Sequence, residues 1–136
     1  MLSAQDSKLN LKAEEAAIRA LIASGKLAYT DDSVFWAGAF KRPVAGKETP
    51  EPFAETKNLN RKNQVNKVKV ERLEIASSGD MAWEYSTVHT EYDTDETPTS
   101  HKSFEAGVLR VWKKSDGSWK VAAMFGRPID VPFVIH

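Results

Sequence analysis

From residue 65 to residue 125 the chain is written mostly in alternation. "VNKVKVERLEIA" (65–76), "MAWEYSTVHTEY" (81–92), "HKSFEAGVLRVWKK" (101–114) and "SWKVAAMF" (118–125) change side at every residue, the period of a strand rather than a helix. Between them stand "SSGD", "DTDETPTS" and "SDG", rich in the residues that turn a chain over a short distance. Connections this short join antiparallel neighbours, because a parallel return needs a dozen residues or more. The segments therefore predict an antiparallel meander of long strands.

The first fifth of the chain follows another rule. From Ser7 to Lys26, Leu11, Ile18, Leu21 and Ile22 share one stripe, and Ala13, Ala16, Ala17 and Ala20 fill in with strong helix formers. Ser7 or Asn10 serves as N-cap, Glu14 and Glu15 sit near the positive end of the dipole, and Gly25 marks the exit. "YTDDSVFWAGAF" (29–40) gives a polar turn and a short aromatic strand from Val34 to Phe40, and "PEPFAET" (50–56) a short helix opened by proline. The apolar tail "IDVPFVIH" (129–136) reads as an edge strand or an interface arm. One helix before a meander is an α+β pattern.

The 136 residues suffice for a single domain (1–136), with residues 1–6 as a flexible start and 128–136 as a C-terminal arm. Lys plus Arg and Asp plus Glu number 19 each, and a balanced charge argues against nucleic acid as a partner. No apolar run approaches the length of a membrane span, so a soluble chain is expected, cytoplasmic or exported. Ser3-Ala4 before Gln5-Asp6 fits the junction left by a removed signal peptide, and an ordinary terminus fits it too. Cysteine is absent, which removes disulfides and thiolate chemistry. His89, His101 and His136 are isolated, so no metal set is read, and no motif calls for a cofactor.

"YTDDSVFW…RPVAGKE" (29–48), "GDMAWEY" (79–85) and above all "VLRVWKKSDGSWKV" (108–121) resemble, in order and spacing, the SnoaL-like branch of the nuclear transport factor 2-like superfamily. The resemblance implies a cystatin-like cone, in which a strongly curved antiparallel sheet wraps around helices and leaves a pocket at its open end. Such folds host isomerases, cyclases, dehydratases and plain binding or dimerisation domains, so function rests on the pocket residues.

The chain departs from the ketosteroid isomerase-like pattern where chemistry would sit. Tyr29, Asp31 and Asp32 match the strand entrance, but the general-base position falls at Ala37 and the oxyanion acid near Val108. The last strand offers Ala123, Met124 and Phe125 where relatives place His or Asp. The resemblance puts Trp83, Tyr85, Thr87 and His89 inside the cone, with Val108, Arg110, Trp112, Val121, Ala123 and Phe125. It sends Ala82, Glu84, Ser86 and Val88 outward, while a bulge can reverse such an assignment partway along a strand. Trp36 and Phe40 seal the pocket or fill the core, and Arg127 stands at the rim.

On that lining the expected function is binding of a small apolar or aromatic molecule without turnover. An isomerase, dehydratase or cyclase is the alternative, with His89 as proton shuttle and Tyr85 or Arg110 polarising a carbonyl. A dimerisation or structural module with a filled cone is a third reading. Each polar candidate has a plainer role: His89 as a half-exposed strand-end residue, Tyr85 as a buried ring, and Arg110 as the ion-pair partner of Glu84, Glu91 or Glu105. A homodimer is expected from the resemblance and from the apolar tail.

Overall fold

The computed structural model describes residues 4–37, 43–45 and 61–129. Phe40, the "PEPFAET" helix and the tail from residue 130 lie outside the described residues. Helix α1 (Ala4–Ser24) precedes β1 (Tyr29–Ala37), β2 (Val44–Ala45), β3 (Arg61–Ile75), β4 (Met81–Thr94), β5 (His101–Ser115) and β6 (Ser118–Pro128). The helix starts before the expected caps, so Ser7 and Asn10 lie within it. Its end is as the sequence suggests: Gly25 takes φ +71°, and its N–H donates to the Leu21 and Ile22 carbonyls.

The strands form one sheet in the order β2-β1-β6-β5-β4-β3. The four long strands make the expected antiparallel meander. Asp116 and Gly117, at φ 53° and 80°, form the two-residue turn between β5 and β6, the conformation that the right-handed twist of a hairpin favours. β1 differs from the expectation. It pairs with β6 in parallel, so the sheet is mixed; the long chain segment between β1 and β6 supplies the crossover a parallel pair requires.

One face of the sheet is covered by α1. Ile18 and Ile22 join Phe35, Ala82, Val108, Trp112, Trp119, Val121 and Met124 in a single core. Glu14 anchors the helix by accepting from Lys114 Nζ and Trp119 Nε1. No described helix covers the opposite face, called open below, and along it Trp36, Trp83, Tyr85, Leu109 and Phe125 are each about two-fifths exposed.

This division corrects the expected facing on two strands. On β4 the even-numbered residues turn inward: Ala82, Glu84, Ser86 and Thr90 are buried, while Trp83 and Tyr85 are exposed. On β6 a register shift places Trp112 opposite Val121 but Val111 opposite Ala123. The extra residue, Ala122, reverses the parity, so Val121 and Met124 are both buried and Phe125 is turned out.

Candidate functional site on the helix-covered face

The register sets one row across the covered face: Phe35 on β1, Met124 on β6, Arg110 on β5, Glu84 on β4 and Leu73 on β3. An acid and a base stand at its centre with apolar residues on both sides. Glu84 is fully buried and Arg110 is 8% exposed. Arg110 Nη1 donates to Glu84 Oε1 at 2.6 Å. Trp112 Nε1 approaches the same oxygen at 3.4 Å, and Ser86 Oγ donates to Glu84 Oε2. Donors thus converge on both carboxylate oxygens, the condition under which a charge tolerates burial.

Arg110 is less completely matched. Its Nε is buried and meets no hydrogen-bond partner among the described residues; Thr30 Oγ1 on β1 is in the same condition. Tyr29, packed edge-on against Phe35 at 5.0 Å, also senses this charge. Burial raises its phenol above the ordinary value of 10.0, with the Arg110 charge acting in the other direction. The phenol therefore remains protonated, a hydrogen-bond donor, at neutral pH.

Of the residues singled out in the sequence, Val108, Arg110 and Trp112 come together here. Val121 is buried in the same core, and the other described pocket candidates lie on the open face. Trp36 and Phe125 meet edge to face at 6.0 Å. Phe125 pairs with Leu109 and Leu109 with Tyr85; Trp83 and Ala123 both pair with Val111, and Arg127 with Gly107. His89 stands further along that face, with Nε2 3.6 Å from Glu91 Oε1 and Nδ1 3.5 Å from Glu105 Oε1. His101 adds Nδ1 at 2.9 Å from Asp93 Oδ1. The expected His–Tyr–Arg grouping is therefore not assembled: His89 and Tyr85 are on one side of the sheet and Arg110 is on the other.

Ser86, Tyr29 and Met124 are site residues that the sequence reading did not place there, and it named Glu84 only as one of three ion-pair partners for Arg110. One signal was available, since Glu84 and Ser86 share the parity of Ala82 and Val88.

No family model matches the chain, and no curated protein matches its sequence. Solved structures do match its fold. A hexachlorocyclohexane dehydrochlorinase, LinA-type3 from Novosphingobium barchaimii, superposes with a TM-score of 0.67 at 17% identity, over 95% of this chain and 99% of that one. A ketosteroid isomerase-like protein from Erwinia carotovora gives 0.65 at 18% identity, over 89% and 95%. An NTF2-like protein with a cystatin-like fold from Novosphingobium aromaticivorans gives 0.63 at 14%, over 96% and 91%. The fold is nuclear transport factor 2-like. Its neighbours thus include proteins described as a dehydrochlorinase and as ketosteroid isomerase-like, and a nuclear transport factor 2-like fold admits several chemistries. No described helix is long and apolar enough to cross a membrane.

Proposed function

We propose that the chain binds a small, mostly apolar or aromatic molecule bearing one hydrogen-bond-accepting oxygen, held on the helix-covered face by Arg110. The observation that carries this reading is the buried Arg110 Nε, which meets no acceptor among the described residues. A donor left unmatched away from water costs stability, and a carbonyl or enolate-type oxygen would recover that cost on binding. Glu84 serves to fix the guanidinium plane, and Tyr29 offers a second donor. Phe35, Val108 and Met124 supply the apolar surroundings that such a ligand needs.

A second reading follows from Glu84 itself, a carboxylate amid apolar side chains in a fold shared with a dehydrochlorinase. There Glu84 would take a proton from carbon while Arg110 stabilised the developing oxyanion or halide. The donors already held by both Glu84 oxygens favour an orienting role over that of a base.

The test is a titration of aromatic ketones and aromatic carboxylates, followed through the Arg110 Nε–H resonance and the melting temperature. Binding should move that resonance and raise the melting temperature. Ligands that move only Tyr85 and Leu109 would overturn the reading, and turnover abolished by Glu84→Gln would favour the enzyme.

A further inference from the structure

Among the described residues the buried side-chain atoms without a hydrogen-bond partner are Thr30 Oγ1, Arg110 Nε and Arg61 Nε. The first two belong to the site around Glu84. Arg61 opens β3, at the other end of the helix-covered face. The register sets Arg61 opposite Thr94, Tyr92 opposite Lys102 and Thr90 opposite Phe104. Thr90 is buried, as Glu84 and Ser86 are, so this parity of β4 turns inward along its length. The Arg61 guanidinium lies 4.2 Å over the Tyr92 ring and 5.4 Å from the centre of Phe104. The two rings meet edge to face at 6.4 Å.

Arg61 differs from its neighbours on β3 in having no counter-charge. Lys69 Nζ is 3.7 Å from Glu71 and Arg72 Nε is 3.2 Å from Glu74, each carboxylate standing two residues after its cation. Arg72 too lies over a ring, 5.2 Å from Trp83. At the same spacing after Arg61 stands Asn63, which takes φ 55° within a register shift and donates its amide to Asp93. Among the described residues no carboxylate pairs with Arg61. The sheet also separates charge here. Glu91, Asp93 and Glu105 gather with His89 and His101 on the opposite face, while Lys102 adds a second cation beside Tyr92.

We propose that Arg61, Tyr92 and Phe104 form a second ligand site, for a small organic acid. Its carboxylate meets the Arg61 fork, and its apolar or aromatic part lies against the two rings. A partly buried guanidinium held by ring faces, with one N–H unmatched, gains both a counter-charge and an acceptor from such an anion. Carboxylate fits better than phosphate. A planar group lies in the guanidinium plane alongside the rings, whereas a tetrahedral dianion sets an oxygen against the negative face of a ring. Phe104 and Arg110 are roughly 20 Å apart along β5 at the rise of an extended strand, so this site is separate from the one around Glu84 and does not rest on it.

Sodium benzoate titrated into the full chain tests the proposal, with the Arg61 and Arg110 Nε–H resonances read separately and benzamide and inorganic phosphate as comparisons. Benzoate should move the Arg61 resonance saturably and raise the melting temperature, while benzamide at equal concentration should leave that resonance in place. Arg61→Gln, shown by circular dichroism to be folded, should weaken benzoate binding about tenfold, the scale of one charge-assisted hydrogen bond. Arg72→Gln, which removes the ring-stacked arginine that already has a carboxylate, should not weaken it. Ketones that fail at Arg110 while benzoate binds at Arg61 would leave this inference standing and sink the reading given above. An Arg61 resonance that benzoate does not move, an unchanged affinity in Arg61→Gln, or phosphate bound as tightly as benzoate would overturn it.

Discussion

Glu84 and Arg110 face each other directly across β4 and β5, with Glu84 Oε1 2.6 Å from Arg110 Nη1. The pair sits in a row that is otherwise Phe35, Met124 and Leu73. A buried ion pair adds little stability relative to well-packed apolar residues, but losing one partner strands the other in a medium that solvates it poorly. The pair therefore orients a guanidinium group more than it holds the sheet together.

Single and paired substitutions should show this asymmetry. Glu84→Ala should cost roughly 3–5 kcal/mol in urea unfolding, whereas Glu84→Leu combined with Arg110→Met should recover most of the loss. A double variant no better than the singles would show that the pair contributes net stability.

Glu14 joins the helix to the sheet through Lys114 and the Trp119 indole. Its side chain is 16% exposed, so these contacts are only partly screened. Glu14→Ala should lower unfolding free energy by about 2 kcal/mol, the scale of charge-assisted hydrogen bonds with a donor left unmatched. Glu14→Gln should lose less, because its carbonyl still accepts from the indole. Chemical denaturation with Trp119 fluorescence reads both.

The exposed cluster at the far end of the open face should give stability a pH dependence of known sign. Hydrogen bonds that its ring donates to Asp93 and then Glu91 raise His101 above 6.5. This contribution is complete below 6.5 and is lost as pH rises through the folded-state value. Asn63 and His101 lower Asp93 below 3.8, and His101 and His89 lower Glu91 below 4.5. Those contributions are complete above the ordinary values and vanish as pH falls through the lowered ones. The cluster thus acts fully between 4.5 and 6.5. In an NMR titration, Asp93→Asn should bring His101 back toward its ordinary value, and added salt should do so in part.

The strands and their order were legible because alternation and short turns are local properties. Which side of β4 faces the core was not, because its pattern points the wrong way. The open face carries the large rings of Trp83 and Tyr85, and the covered face carries Glu84 and Ser86. Hydrophobicity assigns faces only when charges stay outside, and Glu84 is inside because Arg110 stands opposite it on the next strand. On β6 the reading failed at Ala122, since one inserted residue exchanges the faces of everything after it. The parallel β1–β6 pair depends on a long-range crossover, which no local pattern encodes. Of the aromatic residues credited to a pocket, Trp36, Trp83, Tyr85 and Phe125 lie on the exposed face, and Trp112 is buried.

Indole hydrogen exchange decides directly whether Glu84, Arg110 and Trp112 form the interior of this fold. The Trp83 indole N–H, on a side chain more than a third exposed, should exchange rapidly. That of Trp112 should exchange only as fast as the protein unfolds. A rapidly exchanging Trp112 beside a protected Trp83 would place Tyr85 and His89 inside, and the site described around Arg110 would not exist.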